Sequence, residues 1–156
     1  MQYHDTPPNS FGTNTKDINP HCSCFNLRKA SRAMTQFYDQ LLDPVGIRST
    51  QFNLLVTMAS VSAHTLTEMA HVLVMDRTTL TRNLKPLEKM GLIQTIKARD
   101  KRSRVYALTD KGRATVTTAI PLWKSAQQRM IDAMGATRFQ QFNRELESVI
   151  RLVNDL

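Results

Sequence analysis

The 156-residue chain is 41% hydrophobic and is long enough to bury a substantial core, as one domain or two small ones. Its 21 Lys and Arg exceed its 13 Asp and Glu, and the net charge of +8 favours nucleic acid or another anionic surface as partner. No run approaches the roughly 18 apolar residues of a membrane-spanning helix, and the polar N-terminus has no apolar signal-peptide core, so neither a membrane protein nor a secreted one is expected.

Residues 1–21 are predicted to form a flexible N-terminal arm, because Pro, Asn and Thr are frequent there and no core-forming pattern is present. Cys22 and Cys24 follow directly and are the only two cysteines. A pair this close cannot cross-link distant parts of a fold, so it indicates a reducing, cytoplasmic compartment.

Residues 22–48 are predicted to contain a first helix that takes part in dimerisation. Further apolar residues widen its main face, and a helix that is apolar on more than one side usually lies between two other helices or between two subunits. The turn-forming residues after Leu42 end it. The main apolar face has helical spacing and consists of Ala30, Met34, Phe37 and Leu41.

Residues 49–110 are predicted to form a winged helix-turn-helix domain. Ser49 is expected to cap its first helix, and Ser62–Thr65 are predicted to form a loop. Thr65 and Glu68 have the spacing of a capping box, which begins a short second helix ending near Leu73. The helix that begins near Ser49 is predicted to have a buried stripe of Phe52, Leu55, Val56 and Ala59.

Asp76 is expected to cap the next helix, called the reading helix below. Leu80, Leu84 and Leu87 mark its inner face. Two short helices joined by a tight turn, with Thr and Arg outward on the second, are typical of a helix-turn-helix that contacts bases and phosphates. Pro86 predicts a bend or a tight last turn, and Gly91 a C-terminal stop. The residues predicted to contact DNA from this helix are Arg77, Thr78, Thr81, Arg82 and Lys85.

A two-stranded ribbon, the wing, is predicted after the reading helix. Leu92–Ile96 and Arg104–Thr109 have strand character, and a polar loop joins them. Asp76–Thr109 holds nine Lys and Arg against three acids, so this fifth of the chain carries a net charge of +6. Long cationic side chains on a thin ribbon suit the minor groove of DNA. The wing residues predicted to contact DNA are Arg99, Lys101, Arg102 and Arg104.

Residues 111–156 are predicted to form C-terminal dimerisation helices. A long helix runs from Thr109 to about Met134, with a bend expected at Pro121, and Gly135 ends it. The last helix has a strong apolar stripe, which must be buried against the first helix and a second subunit. The stripe consists of Phe139, Phe142, Leu146, Val149, Ile150 and Val153.

These elements, in this order, resemble the MarR family of winged helix-turn-helix regulators. The resemblance covers roughly residues 22–155 and implies a mainly α fold with a small β-hairpin wing. It also implies a homodimer that binds a palindromic operator in double-stranded DNA, usually as a repressor released by a small molecule or an oxidant. Arg102 would enter the minor groove and Asp100 would orient it. Five motifs carry the resemblance: Leu66–Ala70, Thr79–Leu84, Leu87–Ile93, Asp100–Ser103 and Leu108–Gly112.

Two kinds of effector are open. In the first, an aromatic or phenolic acid occupies a cleft, and the candidate residues are Arg28, Arg32, Tyr38 and His64. In the second, Cys24 is a peroxide-reactive thiolate, because its surroundings resemble the organic-hydroperoxide-sensing branch of the family, with Tyr38 matching a thiolate-binding tyrosine. Arg28 and Ser49 depart from that pattern, and Cys22 is the only other cysteine. Zinc binding by His21, Cys22 and Cys24 is a third alternative.

Other function classes fit the sequence less well. A protein-interaction adaptor with a winged fold would not need a charge of +6 on its reading face. No glycine-rich phosphate loop, carboxylate pair or Ser/His/Asp set indicates an enzyme, and no metal or cofactor is expected.

Overall fold

The computed structural model describes residues 21–60, 64–97 and 104–154. Residues 1–20 of the predicted arm and the wing tip at 98–103 lie outside the described residues, as do the side chains of His64, Lys97 and Arg104. No described helix is both long and apolar enough to cross a bilayer. In chain order the elements are α1 (Ser23–Leu42), α2 (Ser49–Ala59), β1 (His64–Thr65), α3 (Leu66–Val72), α4 (Arg77–Lys89), β2 (Ile93–Lys97), β3 (Arg104–Leu108), α5 (Asp110–Met134) and α6 (Ala136–Asn154).

The chain divides into two compact units between Phe37 and Tyr38, within α1. In the described part of the first unit, α1 is largely exposed, with about two fifths of Phe25 and of Leu27 accessible to solvent. The second unit holds the helix-turn-helix, the small sheet and the two C-terminal helices.

The core of the second unit lies beneath the helix-turn-helix. The helices α2, α3, α4 and α5 contribute buried apolar side chains to it, and burial of these side chains is the main force that holds the short helices in place. Fully buried side chains include Leu42, Leu54, Leu55, Met69, Leu80, Leu84, Leu87 and Leu92.

The wing is part of a three-stranded antiparallel sheet with strand order β1-β3-β2. Ile93 pairs with Leu108 and Lys97 with Arg104, which confirms the predicted hairpin. The loop predicted before α3 is wrong at its end, because His64 and Thr65 pair with Tyr106 and Val105. A two-residue strand is too short to show any periodicity in the sequence.

Two details of α2 also differ from the sequence-based prediction. Ser49 is the first helical residue rather than the cap, since the Arg48 N–H donates to Gln51 Oε1 at 2.8 Å and the Ser49 N–H donates to Asp39 Oδ1 at 2.6 Å. The buried stripe contains Leu54 and Met58 in place of the exposed Val56 and Ala59. The helix is therefore rotated toward Leu54 relative to the predicted face.

Candidate nucleic-acid interface

The first helix of the helix-turn-helix, α3, begins at the predicted capping box. Thr65 Oγ1 accepts the Glu68 N–H at 3.2 Å, and Glu68 Oε2 accepts the Thr65 N–H at 2.8 Å. Two backbone donors at the helix start are thereby satisfied reciprocally. Met69 and Ala70 are buried, so α3 is fixed both at its start and along its inner face.

The turn between α3 and α4 is a hydrogen-bonded helix termination with an unusual residue in it. The Met75 N–H donates to the Ala70 carbonyl at 2.9 Å, and the Val74 N–H donates to that of His71 at 3.2 Å. This pattern requires a left-handed residue, usually Gly, and here Val74 has a φ of +50°. A β-branched side chain is strained in that conformation. The tight turn is therefore held at some cost to stability.

Val74→Gly is expected to raise the free energy of unfolding by about 0.5–1 kcal/mol, because the relief of strain exceeds the entropy that glycine adds to the unfolded chain. Val72→Gly is the matched control, since Val72 is the last residue of α3, where glycine lowers helix stability. Urea unfolding of both variants at one protein concentration checks the opposite signs. A destabilised Val74→Gly protein would contradict the strain argument.

The reading helix, α4, begins at the predicted cap. Asp76 Oδ1 accepts the Thr79 N–H at 2.8 Å. Hydrogen bonds from Thr79, first from its side chain and then from its backbone, hold the pKa of Asp76 below its ordinary value. The carboxylate therefore stays charged at the N-terminus of α4, the positive end of the helix dipole, and stabilises it. In this type of motif the N-terminus of the reading helix is the end that faces a DNA groove.

The two faces of α4 differ sharply in exposure. Leu80, Leu84 and Leu87 are at most 1% exposed and hold the helix to the core. Thr81 is half-buried and donates its hydroxyl to the Arg77 carbonyl at 2.7 Å, so its oxygen is left as an acceptor. The exposed predicted contacts on the outer face are Arg77, Thr78, Arg82 and Lys85.

Pro86 lies in the last turn of α4, close to the point where the helix ends. The helix continues through the proline for one more turn and stops at a glycine termination, where the N–H groups of Gly91 and Leu92 donate to Glu88 and Leu87 carbonyls at 2.9 and 3.0 Å. Gly91 has the left-handed φ of +69° that this termination needs.

The base of the wing is tied to the reading helix. Thr95 Oγ1 on β2 donates to Glu88 Oε1 on α4 at 2.9 Å, a contact that the sequence analysis missed because it joins two elements. The predicted tip residues Arg99, Asp100, Lys101 and Arg102 lie outside the described residues, as does the side chain of Arg104. The described part of the interface is therefore the outer face of α4.

The effector candidates fall in both units. In the first unit, Cys24 is exposed and Cys22 is half-buried, with its Sγ accepting the Phe25 N–H at 3.4 Å. Arg28 and Arg32 line a shallow depression there with Leu27 and Ser31. In the second unit, Tyr38 is half-buried, its hydroxyl donates to Gln127, and burial raises its pKa.

Metal binding finds no support among the described residues. No group of three or more His, Cys, Asp or Glu side chains in the described ranges is placed to hold an ion, and His21, Cys22 and Cys24 are all within those ranges.

Comparison with known proteins identifies the family. A model of the MarR family matches residues 47–103. The crystal structure of the M. tuberculosis transcriptional regulator MosR in complex with DNA has a TM-score of 0.79 and 32% identity, over 86% of this chain and 97% of that one. The chain belongs to the MarR family. A structure of mutant MarR from E. coli complexed with operator DNA shares the winged-helix fold, with a TM-score of 0.76 at 23% identity over 85% of this chain and 96% of that one.

One curated relative of this MarR-family chain is an organic hydroperoxide resistance transcriptional regulator of Bacillus subtilis (strain 168). It is 37% identical over 90 residues, which are 57% of this chain and 61% of the relative. The aligned part of the chain thus spans less than two thirds of that protein. The predicted order of elements from the first helix to the last is confirmed as the MarR winged helix-turn-helix.

Proposed function

We propose that this MarR-family chain is a sequence-specific regulator of transcription that binds double-stranded DNA. The observation that carries the proposal is the outer face of α4, where two arginines, a lysine and a threonine are exposed opposite three fully buried leucines. Arg and Thr can bond to base edges and phosphates, and the cations release counterions from the DNA backbone. The caps at both ends of α4 present this face on a rigid helix.

The proposal includes a homodimer on a palindromic operator. One helix-turn-helix buries too little surface to read a long site, and two-fold operators match two-fold proteins. The second copy is expected on α6, which has no buried residue in the single chain although it has an apolar stripe. Val149, Ile150 and Val153 are 38%, 49% and 61% exposed. Exposed apolar side chains in a continuous stripe are expected to be buried in an interface, and the same stripe on a second copy of the chain could bury them.

Arg82→Ala is expected to weaken binding to the preferred duplex about 5- to 150-fold, as for the loss of one base-reading arginine. The duplex would be chosen by in vitro selection from a random-sequence library, and affinity measured by fluorescence anisotropy over a series of salt concentrations. Wild-type affinity should fall steeply with salt because phosphates are neutralised. Arg129→Ala, an exposed arginine on α5, is the charge-matched control. Wild-type affinity independent of salt would refute the proposed function.

An effector that releases DNA is the regulatory part of the proposal. The first candidate is an aromatic acid, whose carboxylate would be held by the exposed cations Arg28 and Arg32 beside the apolar Leu27. A carboxylate gains from paired guanidinium groups, and the aromatic ring gains from the leucine. The repressor would then lose DNA on binding the acid.

An organic hydroperoxide is the second candidate, favoured by the exposed thiol of Cys24 and by the named role of the B. subtilis relative. The Cys24 thiolate attacks one peroxide oxygen and the O–O bond breaks. Sulfur loses two electrons and becomes a sulfenic acid, while the peroxide is reduced to an alkoxide that takes a proton from water as the alcohol. The new polar group changes the surface of α1.

Cys24→Ser is expected to stay on DNA when cumene hydroperoxide is added, while the wild type is released, because serine is not oxidised by peroxide. Gel shifts with the selected duplex measure this, with Cys22→Ser as the matched control. A parallel arm uses benzoate in place of peroxide. Release of Cys24→Ser by benzoate alone assigns the switch to the ligand, and unchanged binding by oxidised wild type rules out the thiol.

A further inference from the structure

The start of α5 is bonded to the backbone segment that ends the reading helix. Three successive carbonyls in that segment, of Met90, Gly91 and Leu92, each accept a hydrogen bond. Lys111 Nζ donates to the Met90 carbonyl at 2.8 Å, and Thr109 Oγ1 donates to that of Gly91 at 2.7 Å. The Thr109 N–H donates to the Leu92 carbonyl at 3.1 Å. The segment is therefore held at three consecutive peptide groups by one helix start.

Gly112 lets this contact form at backbone distance. Its N–H donates to Thr109 Oγ1 at 3.0 Å, and the residue is buried. A Cβ added to Gly112 would lie 2.0 Å from the Leu92 carbonyl oxygen and 3.0 Å from the Leu92 carbonyl carbon. These are backbone atoms with no side-chain freedom to move aside. Any larger residue must therefore displace the end of the reading helix relative to α5.

We propose that Thr109 and Gly112 are positioning residues for DNA recognition, which hold the end of α4 at the angle that base reading requires. The inference rests on the proposed DNA-binding function. Hydrogen bonds to base edges depend on sub-ångström placement, whereas attraction to phosphates depends mainly on charge. Gly112 and Thr109 carry no charge, so their replacement alters placement without altering the charge of the protein.

The same contact connects the long helix to the reading helix. A displacement of the first turn of α5 would move the segment from Met90 to Leu92, because the hydrogen bonds from Thr109 and Lys111 and the close Gly112 contact join the two directly. That segment includes the residues that end α4. A change in α5 would therefore reach the DNA-reading face through these hydrogen bonds and the close approach of Gly112 to Leu92.

The test compares binding to the selected duplex with binding to a scrambled duplex of equal length. Gly112→Ala is expected to lower the ratio of the two affinities about tenfold or more, since base contacts are lost together while the salt dependence of binding stays that of the wild type. Partial unfolding would reduce the active fraction and weaken both duplexes equally. The ratio therefore separates misplacement of the reading helix from loss of stability.

Thr109 supplies a second pair of variants in case Gly112→Ala fails to fold. Thr109→Ser keeps the hydroxyl that bonds Gly91 and Gly112 and should retain the wild-type ratio, whereas the isosteric Thr109→Val should lower it. Thr118→Val is the control, because that hydroxyl bonds only within α5, to the Ala114 carbonyl at 3.0 Å.

The outcomes are distinct. A wild type without salt-dependent duplex binding refutes the proposed function. This inference alone is overturned if the wild type binds DNA and the variants keep its ratio of selected to scrambled affinity. The variants concerned are Thr109→Val and any folded Gly112→Ala protein. A lowered ratio in Thr109→Val, with the wild-type ratio in Thr109→Ser and Thr118→Val, supports it.

Discussion

Leu84→Ala is expected to lower the free energy of unfolding by about 2–5 kcal/mol and to remove most specific DNA binding. Leu84 is 1% exposed on the inner face of α4, between the fully buried Leu80 and Leu87. Removing its isobutyl group leaves a cavity beneath the middle of the reading helix. The flanking leucines cannot fill it without tilting the helix, so stability and placement of the outer face are lost together.

Urea unfolding monitored by circular dichroism measures the stability change, at one protein concentration because a dimer is expected. Val72→Ala is the matched control, since that valine on α3 is 62% exposed and its truncation should change the free energy by less than about 0.5 kcal/mol.

Lys85→Ala is expected to keep the wild-type free energy of unfolding but to bind the duplex more weakly, because Lys85 is exposed next to the buried Leu84. Leu84→Ala with wild-type stability would place α4 outside the core. These two neighbouring positions thus separate what holds the helix from what the helix presents.

Local sequence patterns predicted the helix-turn-helix well. The capping box at Thr65 and Glu68 and the cap at Asp76 depend on residues three apart, and both are present as hydrogen bonds. The leucine spacing of α4 predicted its buried face for the same reason. Val74 could not be predicted, since a β-branched residue gives no signal for the left-handed conformation that its turn requires.

Contacts between distant segments were not predictable from one sequence. Thr109 and Gly91 are 18 residues apart, and no local pattern indicates that the hydroxyl of one bonds the carbonyl of the other. The motif Leu108–Gly112 contributes to the family resemblance, but the reason for its glycine is the approach of the Leu92 backbone. The strand His64–Thr65 was missed because it exists only through its pairing with β3.

The apolar stripe of α6 is not fully buried in the single chain, and a substitution within it is expected to have a large effect on dimerisation. Phe139, Phe142 and Leu146 are half-buried, and the residues that continue the stripe are exposed. A like stripe on a second copy would cover it. Leu146 lies in the middle, where side chains contribute most to an interface of this kind.

Leu146→Asp is expected to raise the dissociation constant of the proposed dimer roughly 30- to 1000-fold, about 2–4 kcal/mol, because a carboxylate would be buried without a partner. Sedimentation velocity over a series of protein concentrations measures the shift to monomer. Ser148→Asp introduces the same charge on the opposite, exposed face of α6 and should remain dimeric. Specific DNA binding should fall with Leu146→Asp and not with the control, since two reading helices must be held together to bind a palindrome. A Leu146→Asp protein that sediments as the wild type would exclude α6 as the dimer interface.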